Sequence, residues 1–279
     1  MAEHSRIVAM PPHRWHVQEA GTGPTALLIH GAGGASQSWR GLFPILSRHF
    51  RAIAIDLPGQ GFTRLGARHR CGLDDMTHDL ARLCDAEGWR PDLLIGHSAG
   101  GAIALRLAEL APDTPKGPKG IVGINPALGN FRGAAGWLFP LMAKLLSLAP
   151  FTADLFVATS SSPRNVRRLI EGTGSRLDAR GLDLYARLAG DRVHVDATLA
   201  MMAQWTLDPL LARLDRIATP TLFLLGEEDR AVPPEIGARA AARMPHATAR
   251  HLPDLGHLAH EEDPDLVGGI IRDWWDGLT

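Results

Sequence analysis

Only two cysteines, Cys71 and Cys84, occur in the 279 residues. They form no metal-type cluster, so a reduced, intracellular protein is expected rather than a disulfide framework. A surplus of one charge is missing as well: 29 Lys and Arg face 30 Asp and Glu, for a formal net charge of −1. Nothing therefore pulls the protein onto a phosphate backbone, and nucleic acid is not an expected partner. No run of about 20 apolar residues is present, so no transmembrane segment is expected. The opening stretch "MAEHSRIVAMPPHRWHVQEAG" lacks the apolar core of a signal peptide, which makes a cytoplasmic location the expectation. The 13 histidines are scattered with no H-E-x-x-H spacing. No metal site is expected, and with no nucleotide-binding loop, no cofactor.

The remainder is ordinary globular material, 45% hydrophobic and 21% charged. Its length suits one large domain, or one domain carrying an insertion. Five short apolar runs read as buried strands: "TALLIHG", "FRAIAIDLPG", "DLLIGHS", "GIVGINPA" and "TPTLFLLGEED". They are continuous rather than alternating, as expected when helices cover both faces of a parallel sheet. Between them lie helical patterns such as "DDMTHDLARLCDAEGW" and "AGGAIALRLAELAP", with "PDLVGGIIRDWWDGL" as a closing helix. The alternation argues for an α/β fold with a mostly parallel sheet. From Leu128 to Trp205 it gives way to mainly helical, apolar text. That stretch reads as a helical cap, residues 128–205, inserted into a core made of residues 1–127 and 206–279.

At the end of "DLLIGHS" stands Gly96-His97-Ser98-Ala99-Gly100. G-x-S-x-G between an apolar strand and an alanine-rich helix has the placement of a nucleophile elbow. Glycines at the flanks remove side chains that would strike the neighbouring strand and helix. A serine N-cap with incidental glycines is the plainer alternative. A serine needs a base, and the base needs an orienting group. "LPDLGHLAHEEDP" offers His257, with His260 as its nearest competitor, and "LLGEEDRAVPP" offers Asp229, with Glu227 and Glu228 as competitors. The Gly256 before His257 and the spacing to Val232-Pro233 favour His257 and Asp229. The order Ser98, Asp229, His257 is that of an α/β-hydrolase triad. An oxyanion needs two donors. The N–H of Ala99 is one, and the loop His30-Gly31-Ala32-Gly33-Gly34 supplies the other, from Ala32 first and Gly33 second.

"HGAGG", "DLPGQGFT", "GHSAGG", "GEEDRAVPP" and "LGHLAHEE" resemble the α/β-hydrolase superfamily. The resemblance covers the chain from about Thr25 to its end. It implies a mostly parallel eight-stranded sheet flanked by helices, with a cap after the sixth strand. A narrower likeness runs through the cap itself, in "LLSLAPF", "RRLIEGTGSRLD" and "LYARLAGDRVHVDATLAMMAQW". These resemble the magnesium-chelatase accessory hydrolases of bacteriochlorophyll synthesis in phototrophic bacteria. The likeness implies a tetrapyrrole-type substrate, magnesium chelatase subunits as partners, and a place near the photosynthetic membrane. Two departures stand out. The oxyanion loop is H-G-A-G-G rather than the H-G-x-P of many relatives, and the strand-end position that holds the acid in some relatives is Asn125.

Apolar residues of the cap, Trp137, Phe139, Leu141, Met142 and Met202, are expected to line a site for an apolar acyl substrate. His30, His97, Val232 and Leu258 are expected to border it. Burial of the cap against the core would explain the same composition. Three functions remain open: a serine hydrolase cleaving an ester of an apolar metabolite, a generic carboxylesterase, and a tetrapyrrole-binding scaffold with an idle triad. Serine at the elbow speaks against halide or epoxide displacement, whose enzymes in this superfamily carry aspartate there.

Overall fold

The protein is described from a computed structural model, over residues 4–111, 117–129, 157 and 162–278. Eight strands form one sheet in the order β1-β2-β4-β3-β5-β6-β7-β8. They are β1 (Ser5–Met10), β2 (His13–Ala20), β3 (Thr25–Ile29), β4 (Arg51–Ile55), β5 (Leu93–His97), β6 (Gly120–Ile124), β7 (Thr221–Gly226) and β8 (Ala247–Leu252). From β4 through β8 the neighbours run parallel. The first two strands are an antiparallel extension at one edge. The helices are α1 (Leu42–Leu46), α2 (Leu73–Ala86), α3 (Ala99–Leu110), α4 (Pro163–Gly172), α5 (Ala179–Gly190), α6 (Arg192–Gln204), α7 (Asp208–Leu211), α8 (Pro234–Ala241), α9 (Ala259–Glu262) and α10 (Pro264–Asp276).

Period-2 alternation divides each central strand between two cores. Leu27 and Ile29 of β3, Ile53 and Ile55 of β4 and Leu94 of β5 face one side, with Met76, Leu80 and Leu83 of α2 and Ile103 of α3. Ala26, Leu28, Ala52, Ala54, Leu93 and Ile95 face the other, against Leu42 and Leu46 of α1 and Ile270 and Ile271 of α10. Residues of β3, β5 and β6 are buried throughout, which is why they read as unbroken apolar runs. The five expected inner strands are therefore found as β3 to β7.

Helices α4, α5 and α6 fall between β6 and β7 in the chain. Val166 and Ile170 of α4 and Leu182 of α5 make a third, smaller apolar cluster with Leu258. Ser162 and Asp178 cap α4 and α5, each accepting a first-turn backbone N–H. Trp137, Phe139, Leu141 and Met142 lie outside the described residues. Among the described residues, no helix is long and apolar enough to cross a membrane.

Candidate active site

Ser98 ends β5 and opens α3. Its φ of 50° and ψ of −116° lie in a region that side-chain-bearing residues avoid. Such a conformation costs of order 1–3 kcal/mol and persists only where the surroundings impose it. Here they do. A Cβ on Gly96 would come within 2.2 Å of the Gly100 carbonyl oxygen, and one on Gly100 within 2.0 Å of the Ile29 carbonyl oxygen. The turn is closed by Ser98 N–H donating to the Ile124 carbonyl at 3.0 Å and by the Ser98 carbonyl accepting from Gly101 and Ala127.

Asp229 follows β7, and His257 lies in the loop after β8. His257 Nδ1–H donates to Asp229 Oδ2 at 2.7 Å. The other carboxylate oxygen, Oδ1, accepts from the N–H groups of Ala231 and Val232 at 2.8 Å each. Asp229 is buried and His257 nearly so. Neither Glu227 nor Glu228 reaches His257 within hydrogen-bond distance among the described residues. His260 is wedged between Trp39 and His97, with ring centroids 4.6 Å from each. The geometry thus joins His257, not its competitor, to Asp229, not its competitors. Ser98 and His257 share no hydrogen bond among the described residues, a contact that in ligand-free sites often tightens only when substrate binds. The ring of His97, the residue before Ser98, lies 4.8 Å from that of His257.

The His257 loop is clamped by its backbone. The His257 carbonyl accepts from His97 Nε2–H and from Asn125 Nδ2, both at 2.9 Å. Asn125 Nδ2 also donates to the Gly256 carbonyl at 2.9 Å, and Asn125 Oδ1 accepts from Gly226 N–H at 2.7 Å. One side chain just after β6 thereby ties the end of β7, before Asp229, to the loop that carries His257. From the loop between α4 and α5, Ser175 Oγ accepts the Leu258 N–H at 2.8 Å. The backbone at Gly174 and Ser175 passes so close to Gly256 that a Cβ there would sit 2.4 Å from the Gly174 carbonyl carbon.

Gly31 packs against Ser98, since a Cβ on it would lie 3.0 Å from that of Ser98. The Gly31 carbonyl accepts from His30 Nδ1–H at 2.7 Å and from Gly34 N–H at 3.1 Å. A trans peptide points its N–H away from its C=O, so the Ala32 N–H is turned away from the His30 ring. Neither Ala32 N–H nor Ala99 N–H has a partner among the described residues. Gly33, the second expected donor, is different: its N–H is taken by Gln60 Oε1 at 2.8 Å.

The other expected border residues are supports. His30 is fully buried, and its Nε2 accepts from Leu57 N–H at 2.9 Å. His97 holds the His257 backbone, Val232 donates its N–H to Asp229, and Leu258 packs into the α4–α5 cluster. None of the four lines the cavity beside the oxyanion loop. That cavity, of about 440 Å³, lies between Ala32 and Gly33 on the core and α4, α5 and α6. Met202 lines it as expected. Leu169, Ile170, Tyr185, His194 and Leu199 were not anticipated. In the sequence they are helix residues whose apolar spacing fits simple burial equally well.

Burial keeps the surrounding imidazoles neutral. It pushes His97 well below the ordinary histidine value, with His260 and His257 adding to the effect. It pushes His260 down to about 3. The unfolded chain takes up a proton near pH 6.5, whereas folded His260 resists it. Stability from this group is thus complete above about pH 6.5 and falls as pH drops below that value. Both His260 ring nitrogens are buried without a partner. His260→Leu is accordingly expected to make the fall in unfolding free energy between pH 7 and 5 shallower by about 2 kcal/mol, measured by urea unfolding at each pH. An unchanged slope would contradict the neutral assignment.

Comparison with known proteins follows the same line. The family model for the alpha/beta hydrolase fold matches residues 24–264. A Rhodobacter capsulatus protein named magnesium-chelatase 30 kDa subunit is 46% identical over 268 residues, covering 95% of this chain and 92% of that one. The pimeloyl-[acyl-carrier protein] methyl ester esterase of Nitrosospira multiformis is 27% identical, covering 92% of this chain and 97% of the relative. Among solved structures, a lipase from Acinetobacter baumannii superposes with a TM-score of 0.79 at 22% identity, over 98% of this chain and 91% of that one. With its sheet order, its strained serine turn and a matching model over most of its length, the chain belongs to the α/β-hydrolase family.

Proposed function

We propose that the protein is a serine hydrolase that cleaves an ester of an apolar metabolite, in bacteriochlorophyll synthesis and alongside magnesium chelatase. The observation that carries the chemistry is the buried 2.7 Å bond from His257 to Asp229, in a chain that also holds Ser98 at φ 50° on the turn after β5. His257 Nε2 takes the Ser98 proton as Oγ attacks the ester carbonyl. Asp229 holds the proton on Nδ1 and stabilises the imidazolium that forms. The carbonyl oxygen gains its charge between the N–H groups of Ala32 and Ala99. His257 then protonates the departing alcohol, leaving an acyl group on Ser98. Water, deprotonated by the same histidine, releases the acid. The inserted stretch acts as the cap, and its helices α4, α5 and α6 wall the acyl site.

The lining sets the substrate class. Val166, Leu169, Ile170, Val195, Leu199 and Met202 supply an apolar wall, and among the described residues no lining residue carries a full charge at neutral pH. Each buried methylene is worth about 0.8 kcal/mol. For neutral p-nitrophenyl esters, kcat/KM is expected to rise about threefold or more per methylene from acetate to hexanoate. A carboxylate at the far end of the hexanoyl chain is expected to cancel that gain, because no cation among the described wall residues would pair with it. Steady-state kinetics across this panel test the proposal. No turnover of any ester would sink it, and a flat series would point to a generic esterase.

A second reading is supported by the name of the Rhodobacter capsulatus relative, which is a chelatase subunit rather than a hydrolase. On that reading the protein binds a tetrapyrrole or a chelatase component, and Ser98 is idle.

A further inference from the structure

Three successive peptides of the oxyanion loop are each gripped by a different side chain. His30 holds the Gly31 carbonyl, and Gln60 holds the Gly33 N–H. The third grip comes from α6, in the inserted stretch: His194 Nε2–H donates to the Gly33 carbonyl at 3.2 Å. The tautomer follows from the other nitrogen. His194 Nδ1 accepts from Gly61 N–H at 3.1 Å, so the ring proton sits on Nε2. The ring is buried and also lines the acyl cavity. Burial lowers its pKa to about 4, which keeps it in the form that can accept from Gly61.

The helix that carries His194 is fixed to the core at this point. Asp191 Oδ1 caps it, accepting from Val193 N–H at 2.8 Å and His194 N–H at 3.3 Å. It presses on the loop after β4 so closely that a Cβ on Gly59 would lie 2.4 Å from the Ala197 Cβ. Gln60 is bound from the same helix, its Nε2 donating to Met201 Sδ at 3.2 Å. Gly33 itself has a φ of 75°, a conformation with no support from the residue's own side chain. The loop keeps its shape through its own bonds to the Gly31 carbonyl and through outside bonds at Gly33, and the cap supplies one of the latter directly and braces the other.

We propose that His194 is a positioning residue for the oxyanion hole: its bond to the Gly33 carbonyl sets the loop that presents Ala32 N–H, so the cap takes part in transition-state stabilisation as well as in covering the substrate. The inference rests on the serine-hydrolase reading above. It assigns to α6 a share in kcat, not in KM, because a misdirected N–H weakens the oxyanion contact and leaves acyl binding in place.

Two near-isosteric variants separate the bonds. The amide of His194→Asn ends near the place of Nδ1, so it retains an acceptor for Gly61 and loses the donor to Gly33. The amide of His194→Gln reaches the place of Nε2 and retains the donor. With p-nitrophenyl hexanoate, His194→Asn is expected to lower kcat by about 10- to 100-fold with KM changed by less than about threefold. His194→Gln is expected to recover kcat to within about threefold of the wild type. Inhibition by an alkyl trifluoromethyl ketone, which forms an oxyanion on Ser98, should weaken in His194→Asn by the same factor as kcat. Equal losses in both variants, a loss carried by KM, or wild-type kcat in His194→Asn would each overturn the inference. Wild-type turnover that depends on Ser98 isolates the inference from the reading beneath it. Turnover that survives Ser98→Ala, or none at all, overturns both.

Discussion

Ser98→Ala is expected to lower ester turnover by about 10⁴-fold or more and to abolish labelling by a fluorophosphonate probe. The size of the effect follows from geometry. Ser98 is held on a turn whose backbone conformation costs energy, between glycines that no other residue could replace without striking Gly100 or Ile29. A serine serving only as a helix cap would accept a hydrogen bond from the first turn, and Ser98 makes no such side-chain bond. Its hydroxyl is thus not spent on structure, and removing it should leave the fold intact. Relaxing the turn to alanine costs at most a small change in thermal midpoint. Loss of turnover with an unchanged melting curve is the expected pair of results. Turnover that survives the substitution would remove Ser98 from the mechanism. The same variant separates the two functional readings in the cell. If a strain carrying Ser98→Ala accumulates the same tetrapyrrole intermediates as a strain lacking the protein, hydrolysis is the role. If it matches the wild type, the scaffold reading stands.

What the amino-acid sequence discloses about this molecule depends on how each residue is used. The strands β3 to β7 are legible because helices cover both faces, so their residues are nearly all apolar. Strand β8 is not, because it lies at the sheet edge and reads "ATARHL", with its four central residues exposed. The antiparallel β1, at the opposite edge, exposes polar residues for the same reason of position. Strand β2, one place in, is mostly buried yet polar, because His13 and His16 bond the buried Asp79 and Asp56. Ser98, Asp229 and His257 are legible because the proposed reaction would demand those side chains at the ends of particular elements.

The supporting residues carry less of a mark in the sequence, since their roles depend on distances between remote segments. Asn125 stands out in sequence only as an amide where some relatives place an acid; that it ties Gly226, Gly256 and His257 together is visible only in three dimensions. His30 and His97 were expected at the substrate because they flank catalytic groups. They turn inward instead: His30 serves two backbone groups, the Gly31 carbonyl and the Leu57 N–H, and His97 serves the His257 carbonyl. Gly33 drops out as a donor for a similar reason: Gln60, 27 residues away, claims its N–H. The cavity wall comes from α4, α5 and α6, whose amphipathic spacing gives no sign of which residues seal the core and which face the substrate.

Asp229→Asn is the second change with a large expected effect, and here the direction follows from counting donors. In the native site one carboxylate oxygen accepts two N–H groups, from Ala231 and Val232, and the other accepts the His257 Nδ1–H. An asparagine has one acceptor oxygen, and two fixed backbone donors compete for it against one. The amide oxygen will stay with Ala231 and Val232, which turns the NH₂ group toward His257. Nδ1 must then accept, and the ring proton moves to Nε2, the nitrogen that has to receive the Ser98 proton. The base is blocked with its position unchanged. A loss of about 10⁴-fold in kcat at neutral pH is expected, with KM for p-nitrophenyl hexanoate nearly constant, since the cavity wall is untouched. The tautomer itself is observable. In ¹⁵N-labelled protein, the His257 Nδ1 resonance should move from the protonated to the unprotonated range on substitution, and the Nε2 resonance should move the opposite way. A variant that loses activity but keeps its proton on Nδ1 would show that Asp229 acts through charge alone. The orienting bond would then not be the feature on which catalysis depends.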